Sequence, residues 1–332
     1  MGVQLEKLAY EVYRRPIAVF FFSEPPVEDP PEKSFRTLPQ SEISKLPGEI
    51  KNIIRRAEVM QINLQELCNG KNPAIRKIWQ AGETATAQDV RNLVSVSIDD
   101  QAGWYNSEDA LGHWRDHFII NGIFVFKEAF RSDEISGFCL FDDEFPVIYL
   151  DNQNTFNRQI FTLFHELGHL IFRTGGIDKV HNDYIGNLSY EAKRIEQFCN
   201  QFAADFLVPN DDLDQRLKGS LVSLELVDSL TSTYFVSKDV ILRKLLDRDI
   251  IDTDYYYQNS TVPVKRTHSG KKGGFYYNTK QAYLGRQYMS LAFDRYYSNE
   301  IDIDQLADYL DAKVSSLEGW QNHLDWLHCR SP

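Results

Sequence analysis

Residues Ile160–Ile171 read IFTLFHELGHLI, and His165-Glu166-Leu167-Gly168-His169 stands at their centre. On an α-helix, two histidines four residues apart lie one turn apart on one face, so both imidazoles can reach one ion. A glutamate directly after the first histidine sits beside that face, within reach of a water on the ion. This is the mechanics of the HExxH pattern. Ile160, Phe161, Leu163, Phe164, Leu167, Leu170 and Ile171 make the segment apolar on most sides, so the helix is expected to be buried. Histidines and a carboxylate on a buried helix are costly unless paired or metal-bound. The pattern also arises by chance, and the alternative is a histidine pair satisfied by ordinary hydrogen bonds.

A catalytic zinc site takes three protein ligands and keeps one position open. No third histidine follows in the HExxHxxGxxH manner, since Phe172 and Gly175 come next. The third ligand is therefore sought on the next long helix, IEQFCNQFAADFLVP, where Glu196 and Asn200 share a face. Glu196 is the candidate ligand, and Asn200 is placed to hydrogen-bond a ligand from behind. Small Ala203 and Ala204 would let this helix pack closely on the first. The competing reading of Glu196 is a solvated surface charge.

Working outward, the spacing predicts helices over 42–69, 73–80, 86–97, 107–120, Asn157–Phe172 and Tyr190–Leu207, the last stopped by Pro209. Three short apolar runs, Gly122–Phe126, Ser136–Leu140 and Pro146–Leu150, read as strands. The strand Val147–Leu150 leads toward the HExxH helix; as a sheet edge it could accept a substrate strand, and otherwise it is an ordinary core strand. Ahead of 42, residues 5–22 read as an amphipathic helix ending before Pro16 and then an apolar extended piece. Five prolines between Pro25 and Pro39 follow, a linker or surface arm. Beyond 209 the chain reads as helices over 210–229, 237–247, 279–299, 302–310 and 314–327, with Ser237 as an N-cap. The domain reading is a remnant helix and proline-rich arm over 1–40, a metallopeptidase domain over 41–209 and a helical region over 210–332.

The 332 residues carry a formal charge of −12, which gives no global pull toward nucleic acid. Direct DNA binding is not expected. Lys265, Arg266, His268, Lys271, Lys272 and Lys280 form a local basic patch, for which a solvated loop is the plainer reading than phosphate binding. The aromatic runs Tyr255–Tyr257 and Phe275–Tyr277 read as packing. The four cysteines, Cys68, Cys139, Cys199 and Cys329, form no CxxC pair and are expected as free thiols. No secretory signal is visible and Ile17–Phe22 is too short to span a bilayer, so the expected place is the cytoplasm, with no membrane partner.

Three stretches together resemble the ImmA/IrrE family of zinc metallopeptidases. They are GFCLFDDEFPVIYLDNQNTFNRQIFTLFHELGHLIF, then IEQFCNQFAADFLVP, like the family's Glu-x-x-Ala-Asn-x-Phe-Ala-Ala pattern, and the N-terminal RRPIAVFFFSEPP with FRTLP. The tail YYNTKQAYLGRQYMSLAFDRYY with LADYLDAKV is similar to the end of the longer members, in which a helix-turn-helix precedes the peptidase. Only the last helix of that module stands here, in LEKLAYEVYRRP. Cys199 occupies a place where alanine is usual.

The resemblance implies an α+β, zincin-like core with a small β-sheet and the HExxH helix, plus a mainly helical C-terminal region. It implies His165, His169 and Glu196 as ligands of Zn2+, with Mn2+ as an ion accepted in vitro, and Glu166 as general base. It further implies a protein substrate, a helix-turn-helix repressor or antitoxin cut at one site to switch on stress, phage or mobile-element genes. The other readings are the toxin of a toxin–antitoxin pair and a non-catalytic regulatory binder. An oxyanion donor is still needed, and His181, Tyr184 and Tyr190 lie between the two metal helices as candidates.

Overall fold

The computed structural model describes Phe35 and residues 43–179, 185–186, 188–260, 276–317 and 319–320. The expected arm over 1–40, apart from Phe35, lies outside the described residues. So do His181, Tyr184, the basic stretch Lys265–Lys272, Phe275, Cys329 and the end of the expected last helix. Thirteen α-helices and four strands are present among the described residues, and the class is α+β.

Helix α1 (Gly48–Leu67) starts after Pro47 and buries Ile50, Ile53, Ile54, Ala57, Leu64 and Leu67. The expected helix over 73–80 reduces to a 3-10 turn at Ile78–Ala81. The reason is Asn72, whose side chain takes the Ala74 N–H and donates to the carbonyls of Gly122 and Glu144, diverting the chain from helix. The expected helix over 86–97 ends earlier: α2 (Ala87–Val94) and α3 (Ile98–Gly103) each begin with a capping box, on Thr86 and Ser97. Ser95 between them is left-handed, with φ of 59°. Helix α4 (Ser107–Ile120) follows, capped by Asn106.

The sheet comes next: β1 (Phe124–Glu128), β2 (Ile135–Leu140), β3 (Val147–Asp151) and β4 (Gly176–Lys179), in the order β1-β3-β2-β4. Strand β3 pairs in parallel with β1 and antiparallel with β2. It is therefore central, and the edge role considered for Val147–Leu150 is excluded because both its sides are taken. The turn between β2 and β3 is closed by Asp142 Oδ1, which accepts from Glu144 and Phe145 at 2.8 and 2.7 Å. Strand β4 follows helix α5 (Phe156–Ile171) and pairs antiparallel with β2. Helix α6 (Tyr190–Leu207) completes the central unit.

Strand alternation sends Phe124, Phe126, Phe138, Leu140, Val147 and Tyr149 to one face of the sheet, and Val125, Cys139, Ile148 and Leu150 to the other. On the second face lie α5, α6, α2 and α4, with α8 (Leu224–Tyr234) and α9 (Lys238–Asp247) joining their core. Trp114 meets Phe164 edge to face there at 4.9 Å between ring centroids, and Phe164 stacks on Phe206 at 4.2 Å. Helix α9 starts on Ser237 as expected, and its Ile241, Leu242 and Leu245 are fully buried. The expected helix over 210–229 is two, α7 (Asn210–Leu217) and α8, parted at Gly219 with φ of 74°. Helix α10 (Thr253–Asn259) carries Tyr255–Tyr257; Tyr255 and Tyr256 pack on this core and Tyr257 is exposed.

The first face is covered by α1 and by α12 (Arg286–Tyr297) and α13 (Ile303–Tyr309), so residues from both ends of the described chain share one core. Tyr288 stands edge-on to Phe126 at 5.4 Å, receives a bond from Asn63 and donates to the Tyr309 carbonyl. The expected helix 279–299 is split at Gly285, where φ is 83°, into α11 (Tyr276–Leu284) and α12. Lys280 of the basic stretch pairs with Asp311.

A buried polar hub ends α6. Arg91 donates twice to the Phe206 carbonyl, at 2.6 and 3.2 Å, and also to Val96 and Gln101. Gln101 in turn caps Leu207 and Tyr234. No helix among the described residues is long and apolar enough to cross a membrane. Cys68, Cys139 and Cys199 are free thiols.

Candidate metal centre

Helix α5 places His165 and His169 on its inner face, and α6 lies directly against it. Gly168 makes that approach possible. A Cβ there would stand 2.8 Å from Cys199 Sγ and 3.0 Å from Cys199 Cα, so only glycine fits at this crossing. Cys199 fills the contact as a small buried residue. Gly176, the first residue of β4, does the same for His169: an added Cβ would lie 2.2 Å from Cδ2 of the ring.

The result is a tight cluster of three side chains. His165 Nε2 and His169 Nε2 are 3.3 Å apart. Glu196 brings Oε2 to 3.5 Å from His165 Nε2 and Oε1 to 3.3 Å from His169 Nε2. The reading of Glu196 as a surface charge does not hold, because its exposure is 0%. Tetrahedral coordination with arms of about 2.0–2.1 Å has edges of about 3.3–3.4 Å; the two histidine nitrogens stand one such edge apart, and each has one Glu196 oxygen at a similar distance, so the three side chains can converge on one small divalent ion. The donor set points the same way. Two ring nitrogens facing each other can share at most one proton, whereas both lone pairs can serve a cation. These residues therefore fit a metal ion.

Electrostatics follow from burial. Burial works against a charged His165, but the hydrogen bond to Glu196 and the charges of Asp178 and Glu196 outweigh it and raise its pKa. Burial alone would raise the Glu196 carboxyl; His169 and His165 overcome that and hold it well below the usual range. Glu166, fully buried, is lifted by burial to about 7, with His169 opposing and Asp178 adding to the rise. A carboxyl near neutrality can both accept and return a proton at working pH.

Glu166 is held by a partner that sequence reasoning missed. The Asp178 backbone N–H donates to its Oε1 at 2.9 Å. Oε2 is buried and has no hydrogen-bond partner among the described residues. The Asp178 carboxylate accepts from Arg158 Nη2, 2.8 Å from each oxygen, and from Thr162 Oγ1 at 2.6 Å. Cys139 lies beside Glu166, and burial first, then the Glu166 charge, push its thiol well above the ordinary value. The only signal in the sequence was that Arg158, Thr162 and Glu166 recur every fourth residue on α5; their partner stands on a strand of four residues with no alternation.

Other expected residues are placed differently. Asn200 donates to the Glu196 backbone carbonyl at 3.0 Å, within its own helix turn, and not to a ligand side chain. Tyr190, the first residue of α6, is 87% exposed while the triad is buried.

Residues 120–246 match the family model of the IrrE N-terminal-like domain, Peptidase_M78. The matched span runs from the last residue of α4 into α9, so it holds the whole sheet and both helices that bear the triad. No curated protein matches the chain.

Proposed function

Residues 120–246 form a domain of the ImmA/IrrE metallopeptidase family, and on that premise we propose that the chain is a zinc-dependent endopeptidase acting on a regulatory protein. The observation that carries the reading is the buried cluster of His165, His169 and Glu196, whose ligand atoms converge closely enough to hold one ion. The all-nitrogen-and-oxygen donor set suits Zn2+, and a hard ion such as Mn2+ is also accepted by it.

A bound divalent ion supplies Lewis-acid polarisation of the scissile carbonyl and acidifies the attacking water. His165, His169 and Glu196 hold it. Glu166 takes the water's proton at Oε2, the oxygen left without a partner, and later hands it to the leaving amine. The Asp178 N–H on Oε1 keeps the carboxylate oriented through both transfers.

The substrate class proposed is a helix-turn-helix repressor or antitoxin, cut once to release the genes it silences. This rests on the likeness of the chain to the longer family members. Toxin action in a toxin–antitoxin pair would use the same centre. A second reading, a regulatory binder that retains the centre without peptidase activity, draws on the depth of the site: His165, Glu166, His169 and Glu196 are all at most 1% exposed.

Metal analysis of the protein purified without chelators tests the centre. About one zinc per chain is expected for the wild type, with loss in H165A and E196A. E166Q is expected to keep its zinc and lose cleavage by about 10²–10⁴-fold, the usual weight of a general base. Zinc-loaded wild type that cuts neither casein nor any co-expressed helix-turn-helix regulator would favour the regulatory binder.

A further inference from the structure

The sheet departs from regular pairing at one place, and that place faces the catalytic helix. Strand β2 pairs with β4 as Ile135↔Lys179 and then Gly137↔Asp178, so Ser136 is the extra residue of a bulge opposite Asp178. Bulges break the ladder locally and re-aim the groups around them, commonly beside active sites. Here Ser136 Oγ accepts from Arg158 Nε at 3.1 Å. Gly137 leaves room for Thr162, whose Cγ2 would lie 2.4 Å from an added Cβ. Asp178 then meets one stripe of α5 at three successive turns: its carboxylate takes Arg158 and Thr162, and its N–H takes Glu166.

We propose that the bulge and Asp178 form a positioning device that fixes the Glu166 carboxylate through one oxygen and leaves the other for the reaction. The proposal rests on the reading of Glu166 as general base. A carboxylate serving only to strap β4 to the helix would have both oxygens satisfied, as buried polar atoms ordinarily do. At full burial Glu166 has Oε1 bonded to a backbone N–H and Oε2 without an N–H or O–H donor among the described residues, and the weak Cys139 thiol is its other hydrogen-bonding neighbour. A glutamate has three side-chain torsions to fix. A rigid backbone donor fixes them better than a second mobile side chain, provided the donor's own strand is immobile. Arg158 and Thr162 supply that immobility by gripping the Asp178 side chain. Asp178 and Thr162 are thus positioning residues, acting through Glu166.

The test uses 15N-labelled full-length protein and fluorescein-labelled casein as the cleavage probe. The Asp178 amide proton is expected well downfield in the wild type, as for a donor to a buried carboxylate. It should move upfield in E166A and in T162V, and return in T162S, which restores the hydroxyl. Turnover of casein by zinc-loaded T162V should fall about 100-fold at unchanged KM and zinc content, the scale of a misplacement near 1 Å, and recover in T162S. If T162V does not fold, D178N carries the same comparison. An Asp178 amide that is unmoved in E166A and T162V would overturn the proposal, as would wild-type turnover in T162V. Should the wild type leave casein intact, the peptidase reading is what fails, and the amide shifts alone decide the positioning.

Discussion

Gly168 controls how near the two helices that bear the triad come, and its demand is steric. Every added atom meets Cys199, whose Sγ, Cα and Cβ would lie 2.8, 3.0 and 3.1 Å from a new Cβ. Gly168→Ala is expected to cost about 1–3 kcal/mol, the range for overpacking a tight core. Cys199→Ala in the same chain removes only the nearest atom and should recover part of that loss; urea denaturation of the two variants and their combination measures it. At this scale the site was half legible. His165, Glu166 and His169 announce themselves because helical spacing is local, and Glu196 was found because its helix carries the same kind of signal. Asp178 was invisible, since its role is made by a backbone N–H, and any residue type has one.

Among the elements, α6 depends on support from outside itself. Its C-terminal carbonyls at Phe206 and Leu207 are taken by Arg91 and Gln101, which come from α2 and α3. Arg91 is 5% exposed, and burial brings its guanidinium down to about 10. Arg91→Ala would leave the Phe206 carbonyl without its donor and open a hole beside Trp114 and Phe206. The expected loss is about 4 kcal/mol, the sum of a charged hydrogen bond and an unsatisfied buried acceptor at the middle of their ranges. Thermal unfolding against Arg91→Lys, which keeps the charge but loses the fork, separates geometry from charge.

Element boundaries show where sequence patterns run out. The apolar period over 86–97 continues through Ser95, yet Thr86 and Ser97 each close a capping box, and two helices result. The period over 279–299 likewise runs through Gly285, where a positive φ breaks it. Strand β4 had no period to read and exists because β2 offers it a ladder.

Across the whole molecule, the sheet is covered on both faces, and much of the cover comes from beyond residue 209. Val227, Leu230, Tyr234, Ile241, Leu242, Leu245, Tyr288, Met289, Phe293 and Leu306 are each at most 2% exposed. At roughly 1.5–3 kcal/mol for each buried side chain, these ten outweigh the net stability of about 5–15 kcal/mol typical of a folded chain. A fragment spanning 41–209 is therefore expected to show no cooperative unfolding transition by circular dichroism, although it holds every candidate metal ligand. The sequence revealed that the C-terminal region is helical. It did not reveal that α12 and α13 lie with α1 on the opposite side of the sheet from the triad, because periodicity identifies an apolar stripe without naming what the stripe meets.

The order of strands also dictates an order in time. The turn closed by Asp142 joins β2 to β3 over a short span, and hairpins of that kind close in about 1–10 μs. Strand β1 has no partner until β3 is in place, and β4 has none until β2 is. The hairpin is thus the expected nucleus for the other strands, one at each flank. The triad needs α5 and α6 brought together beside β4, so its assembly belongs late on the route. A newly made chain is therefore expected to have its sheet begun before its candidate ligands meet, and a chelator present at that point would compete with the unfinished site for an ion.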